Sequence, residues 1–311
     1  MPKKLPARFT DEAAARKHLE AIQWPDGKPV CPHCNAMERS SRIAGGRDGL
    51  LFCNACRKQY SVTVGTVFER SKVPLHTWLY ANHLLCSSKK GISSLQLSRM
   101  LGVTYKTAWF MTHRIRESMT PSPLSQKMNP MGGNGKTVEA DETYIGRKKG
   151  RTAPKGGAGH KHAVVALVER GGEVRSFYTP MLRQRDMRKV LHTNVAPDTK
   201  LRTDESTLYI GEKNYFADHK TVNHRKEEYV RGDASTNVAE GVFSIFKRGM
   251  IGTYQHCGEQ HLQRYLSEFD FRYNNRIKLG ITDDMRADKA LEGIGGKRLT
   301  YRRINEKRVV S

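Results

Sequence analysis

Apolar and polar positions change their period several times along this chain of 311 residues. Residues 10–22, TDEAAARKHLEAI, follow a helical period, with Thr10 placed to cap the N-terminus and acids in the first turn. A turn-rich WPDGKPV follows, and beyond Cys56 the stretch KQYSVTVGTVFE alternates as a strand does. Residues 74–119 return to the helical period. Within them, SSLQLSRMLGVTYKTAWFMTHRIRESM has the proportions of a helix-turn-helix: a helix over 95–101, a tight turn at Gly102, and Thr104 capping a second helix.

The stretch TPSPLSQKMNPMGGNG, residues 120–135, breaks both periods and marks a linker. Strands are expected over 137–145, 163–169 and 173–179, the last two joined at Gly171-Gly172. A helix over 186–195, a strand over 200–204 and helices over 238–248 and 261–275 complete the pattern; the last carries Tyr265, Phe269, Phe271 and Tyr273. Hairpin-linked strands, a crossover helix and a further strand give an α/β class, a mixed sheet flanked by helices. The domains expected are residues 1–70, an N-terminal helix and cysteine-rich module; 71–120, the helix-turn-helix; 121–136, the linker; 137–285, the sheet domain; and 286–311, a basic tail.

Composition adds a partner. With 54 Lys+Arg against 31 Asp+Glu the formal net charge is +23, which points to a polyanion, nucleic acid before an anionic membrane. Mean hydropathy is −0.65, and no apolar run reaches the roughly 18 residues of a membrane span. The N-terminal MPKKLPARFTDEAAARK lacks the apolar core of a secretory signal. A cytoplasmic protein is the expectation.

Four of the six cysteines fall in two pairs, CPHC (Cys31, Cys34) and CNAC (Cys53, Cys56), with glycines between them for hairpin tips. Two such knuckles define a zinc ribbon: four thiolates close a tetrahedral shell and leave no open position, so the ion is structural. Cys86 and Cys257 are expected to be buried thiols.

Against the basic background, TVEADETYIG concentrates acid. A period of two puts Glu139 and Asp141 on one strand face and Glu142 on the other. The strand KLRTDES ends on Asp204, at the position where α/β sheets often place catalytic groups, although a turn-forming Asp is the alternative. On the helix STNVAEGVFSIFKRG, residues Asn237, Glu240, Ser244 and Lys247 share one stripe; Asn237 and Glu240 also fit a capping box. Asp141, Asp204 and Glu240 together form an oxygen-rich set suited to Mg²⁺ or Mn²⁺, the two-metal arrangement of phosphodiester chemistry.

DNA contacts are expected from Tyr105 and Lys106 in a major groove and from Arg114 and Arg116 on phosphate, unless the helix pair is only scaffold. The loop RKKGRTAPKGGAGHKH, with Arg147, Lys148 and Lys149, either closes on DNA or is a solvated face.

In this order, CPHC and CNAC, VEADETYIG (Asp141), LRTDES (Asp204), NVAEGVFSIFKRGMIGTYQH (Glu240, Lys247) and HLQRYLSEFDFRYNNR resemble the bacterial insertion-sequence DDE transposases that carry an N-terminal zinc ribbon. The resemblance spans nearly the whole chain. It implies an RNase H-like catalytic fold, catalytic roles for Asp141, Asp204, Glu240 and Lys247, and double-stranded DNA as partner: terminal inverted repeats and target, gripped also by Arg248. Hydrolysis followed by strand transfer, carried out by a homodimer or larger homo-oligomer, is the implied reaction. The third ligand of that group is Glu or Asn, so Asn237 stands as the alternative to Glu240. A nuclease that cuts without joining and a non-catalytic zinc-ribbon DNA-binding protein are the competing functions.

Overall fold

The computed structural model describes residues 5–121, 129–152, 158–223, 230, 232–233 and 235–300. Its contacts divide the chain into two units: residues 1–88, 92–120 and 281–311, and residues 89–91 and 121–280, each in its described parts.

The first unit opens with α1 (Glu12–Gln23), which Asp11 rather than Thr10 caps, its carboxylate accepting the Ala14 N–H at 2.7 Å. Three short antiparallel strands follow, β1 (Ser40–Arg42), β2 (Leu51–Cys53) and β3 (Gln59–Tyr60), in that order across the sheet. The expected strand beyond Cys56 stops at Tyr60, because turns begin there and Gly65 takes a positive φ of 74°. Next come α2 (Leu75–Ser87), α3 (Ser94–Leu101) and α4 (Tyr105–Met119). Gly102, left-handed at φ 65°, ends α3, and Thr104 caps α4 by accepting the Thr107 N–H.

In the second unit β4 (Thr137–Ile145) is the central strand of five. It pairs antiparallel with β5 (His162–Glu169), which pairs with β6 (Val174–Thr179). After the crossover helix α5 (Gln184–Asn194), β7 (Lys200–Thr203) returns parallel to β4 on its other side. A short parallel edge strand, β8 (Asp218–Thr221), follows, and the spatial order is β6-β5-β4-β7-β8. Two helices then cover the opposite face to α5: α6 (Asn237–Gly249) and α7 (Leu262–Asn274).

Strand β5 is buried on both faces, which is why it reads as an apolar run rather than an alternation. Val164, Ala166 and Val168 pack with Val242, Phe243, Phe246, Leu266 and Phe269 of α6 and α7. Val165 and Leu167 pack with Met187 and Leu191 of α5 and with Tyr209 and Phe216. The result is a mixed sheet between two helical layers.

The last helix, α8 (Asp283–Glu292), contacts α1, α2 and α4 and belongs to the first unit. The sequence reading ends the sheet domain at 285 and starts a tail at 286; instead the chain returns to its N-terminal unit at residue 281. There Arg286 is buried and donates to the Cys86 carbonyl. None of the described helices is long and apolar enough to cross a membrane.

Candidate active site and metal centre

The four ribbon cysteines bring their sulfurs within 4.8 Å of one another. Cys31 and Cys56 are 3.7 Å apart, as are Cys34 and Cys53. A tetrahedron with Zn–S bonds of about 2.3 Å has edges of about 3.8 Å, so the set fits a four-thiolate zinc ion. Cys31 and Cys53 also sit in a small core with Leu51 and Tyr60, so metal shell and packing are continuous. Elsewhere Cys86 is buried and Cys257 half-buried.

The acidic centre forms where β7 stops. The register between β4 and β7 pairs Glu139 with Arg202, and β7 ends at Thr203. Extending that register by two residues sets Asp204 beside Asp141. Carboxylate oxygens of Asp141, Glu142 and Asp204 lie within 4.8 Å of one another. Each is held by a hydrogen bond: the Glu142 N–H to Asp141 Oδ1 at 2.8 Å, the Ser206 N–H to Asp204 Oδ1 at 3.0 Å, and the Tyr209 hydroxyl to Glu142 Oε2 at 2.8 Å.

Burial pushes the Asp141 carboxyl up to about 7, and the charges of Glu142, Asp204 and Glu240 add to the shift. Glu142 is raised as well, by burial first and then by Asp204, against the Tyr209 hydrogen bond. Acids crowded in this way favour a divalent cation, and an all-oxygen donor set selects a hard one.

Glu139 has a different partner. Fully buried, its Oε2 accepts the N–H groups of Val238 (2.8 Å) and Ala239 (3.0 Å), first-turn donors for which the helix itself has no acceptor. Its Oε1 accepts Arg170 Nε at 2.7 Å. The same guanidinium donates to the carbonyls of Asp233 and Ser235 and to the Ser235 hydroxyl. The segment leading into α6 is therefore tied to the sheet, and Asp233 adds ion pairs to buried Arg202 and to Lys220.

Glu240 lies in the first turn of α6 and accepts the Thr236 hydroxyl at 3.3 Å. It stands outside the 4.8 Å group, although its charge reaches Asp141. The stripe of Asn237, Glu240, Ser244 and Lys247 is exposed along its length. The capping-box reading is corrected: Thr236 occupies the cap position, Asn237 is already helical, and Glu139 takes the backbone donors.

Tyr105 and Lys106 are exposed at the start of α4. Arg114 and Arg116 are not available to phosphate. Residues 111–116 of α4 are buried on every side, and the two arginines are 8% and 1% exposed. Arg114 lies over Phe110 and donates to the carbonyls of Glu69 and Leu299, while Arg116 donates to Thr112. In the basic loop Arg147 and Lys149 are exposed, whereas Lys148 donates to the Pro180 carbonyl at 2.8 Å. Residues 153–157 of that loop lie outside the described residues. Lys247 and Arg248 are exposed on the last turn of α6.

Two family profiles match this chain: an ISXO2-like transposase domain over residues 132–274 and a transposase zinc-ribbon domain over residues 10–59. Over these two segments the protein is of the transposase class, an insertion-sequence transposase domain of the ISXO2-like kind preceded by a transposase zinc ribbon. An uncharacterized protein in transposable element ISH50 of Halobacterium salinarum is 27% identical over 282 residues, covering 85% of this chain and 91% of its own length. A chain of a simian T-cell lymphotropic virus intasome complex aligns at 14% identity with a TM-score of 0.29, covering 56% of this chain and 63% of that one. So slight a likeness decides nothing about the fold.

Proposed function

We propose that the protein is an active DNA transposase that binds the terminal inverted repeats of its element, cleaves at their ends and joins them to target DNA. The observation that carries this reading is the meeting of Asp141, Glu142 and Asp204 at the end of β7, inside the segment that matches the transposase domain. The strand order, with the first strand of the unit central, two strands joined by antiparallel pairing on one side and two joined by parallel pairing on the other, supports an RNase H-like catalytic domain.

Asp141 and Asp204 are read as ligands, with Glu240 completing the set from α6. Mg²⁺ or Mn²⁺ at this centre supplies positive charge for the attacking and leaving oxygens of a phosphodiester. Lys247, two turns along the exposed stripe from Glu240, contacts a phosphate beside the cleaved bond and positions the DNA end. Glu139 and Arg170 fix the start of α6 and so fix where Glu240 stands. In the first unit the zinc ribbon and the α3–α4 pair, read as a helix-turn-helix, engage the repeats; Tyr105 and Lys106 supply groove contacts. A net charge of +23 supports phosphate contact over a wide surface, and a homo-oligomer brings two ends together.

The test is a cleavage and joining assay on DNA carrying the sequences that flank this gene. Metal-dependent nicking at the repeat and a joined product are expected. Nicking without joining leaves the nuclease function, and binding without either leaves a DNA-binding protein.

A further inference from the structure

We propose that Glu142 is a further carboxylate ligand of the divalent-cation centre, beside Asp141 and Asp204 and in addition to Glu240, set in place by the Tyr209 hydroxyl. The inference rests on the functional reading above and extends it to a residue whose strand face points away from Asp141.

Alternation along a strand normally separates neighbours i and i+1 by the sheet itself. Here that barrier is missing. β4 continues to Ile145, but β7 pairs with it only as far as Glu139 and ends at Thr203. Beside Asp141 and Glu142 the edge of β4 is therefore open, and side chains from both faces turn into the same space. That geometry is how two successive residues and Asp204 bring oxygens within 4.8 Å of one another.

The hydrogen bonds on this group differ from those on the fully buried glutamates of the unit. Glu139, Glu212 and Glu268 are fully buried and each faces an arginine: Arg170, Arg188 and Arg272. Asp141 and Glu142 instead receive a backbone N–H and a phenol. Neutral donors fix a carboxylate's orientation without cancelling its charge, as a cation site requires. Tyr209 is itself 2% exposed and packed among Met187, Leu191 and Phe216, so its hydroxyl is a rigid stop for Glu142.

The experiment is a Mn²⁺ titration of the full zinc-loaded chain without DNA, read by electron paramagnetic resonance. Mn²⁺ prefers oxygen ligands and leaves the thiolate site to zinc. Glu142→Gln is expected to weaken binding at least about tenfold, and Tyr209→Phe about tenfold, the lower end of what loss of a group that orients a ligand costs. Wild-type affinity in Glu142→Gln, with affinity lost in Asp204→Asn, overturns the role of Glu142 and leaves the catalytic reading standing. Absence of saturable binding in the wild type overturns both. Should Glu142→Gln fail to fold, Glu142→Asp carries the test: its shorter reach is expected to weaken binding similarly, and unchanged affinity overturns the proposal.

Discussion

The buried carboxylate of Glu139 accepts the backbone N–H of Ala239 at 3.0 Å, so a side chain from the central strand caps the helix that carries Glu240. The bond joins sheet and helix across 100 residues of sequence. With Arg170 on its other oxygen, Glu139 completes an ion pair whose partly exposed arginine also grips the carbonyls of Asp233 and Ser235.

Glu139→Ala takes the acceptor from two helix donors, while Arg170 keeps its bonds to Asp233 and Ser235. Leaving buried donors without their acceptor costs on the order of 1–3 kcal/mol. Denaturant unfolding is expected to show a loss of that size, and Glu139→Gln, which keeps an acceptor, a smaller one. A stability change within about 0.5 kcal/mol for Glu139→Ala, the range of a neutral surface substitution, contradicts the anchoring role.

Zinc is tested by removal. The purified chain is expected to hold close to one Zn²⁺ at Cys31, Cys34, Cys53 and Cys56, because ribbon folding is coupled to metal binding. Chelation should unfold β1–β3 and weaken DNA binding. A folded, zinc-free preparation by elemental analysis contradicts the assignment.

The acidic centre has a pH signature. Asp141 holds its proton up to about 7 in the folded, metal-free protein, above the ordinary aspartate value of about 3.9. The folded state therefore binds more protons than the unfolded state between those values, and the metal-free protein loses stability as pH rises through them. Asp141→Asn removes this slope. Asp270, also raised to about 7 by burial, contributes equally to both proteins and cancels in the comparison. Urea unfolding of the two proteins from pH 4 to 8 should show their stabilities diverging, with Mg²⁺ restoring the wild type at high pH. Parallel curves contradict it.

DNA contact divides the basic residues. Lys106→Ala is expected to lower the salt dependence of repeat binding by about one counterion without affecting folding. Arg116→Ala should instead destabilise the first unit, because its guanidinium is interior. Both variants are checked by binding across a salt series and by thermal unfolding; the opposite pattern reverses the roles of Lys106 and Arg116.

Strand 137–145 was legible to the residue because its period and flanking turns agree, and the cysteine pairs carry their own spacing. Long-range register was not legible. Nothing local says that β7 ends before Asp141, so Glu142 could not be placed beside Asp204. The same limit hid the partner of Glu139, which lies 99 and 100 residues away. Arg114 and Arg116 looked like phosphate contacts because charge in a helix usually marks a solvated face; burial around the second half of α4 removes that signal. Helix α8 was hidden by its charged sequence, DDMRADKALE, whose Ala287, Ala290 and Leu291 make a narrow apolar stripe.

The central claim is that Asp141, Asp204 and Glu240 act as one catalytic unit on DNA held elsewhere. Its most direct test is end cleavage measured beside end binding for the wild type, Asp204→Asn, Glu240→Gln and Asn237→Ala. Binding should persist in all four with nearly the same salt dependence, because the repeats are held by other surfaces. Cleavage should fall by orders of magnitude in Asp204→Asn and Glu240→Gln, while Asn237→Ala, outside the cap position, keeps it. Normal cleavage by Glu240→Gln with a dead Asn237→Ala would move the third ligand to Asn237, and normal cleavage by Asp204→Asn would contradict the catalytic centre itself.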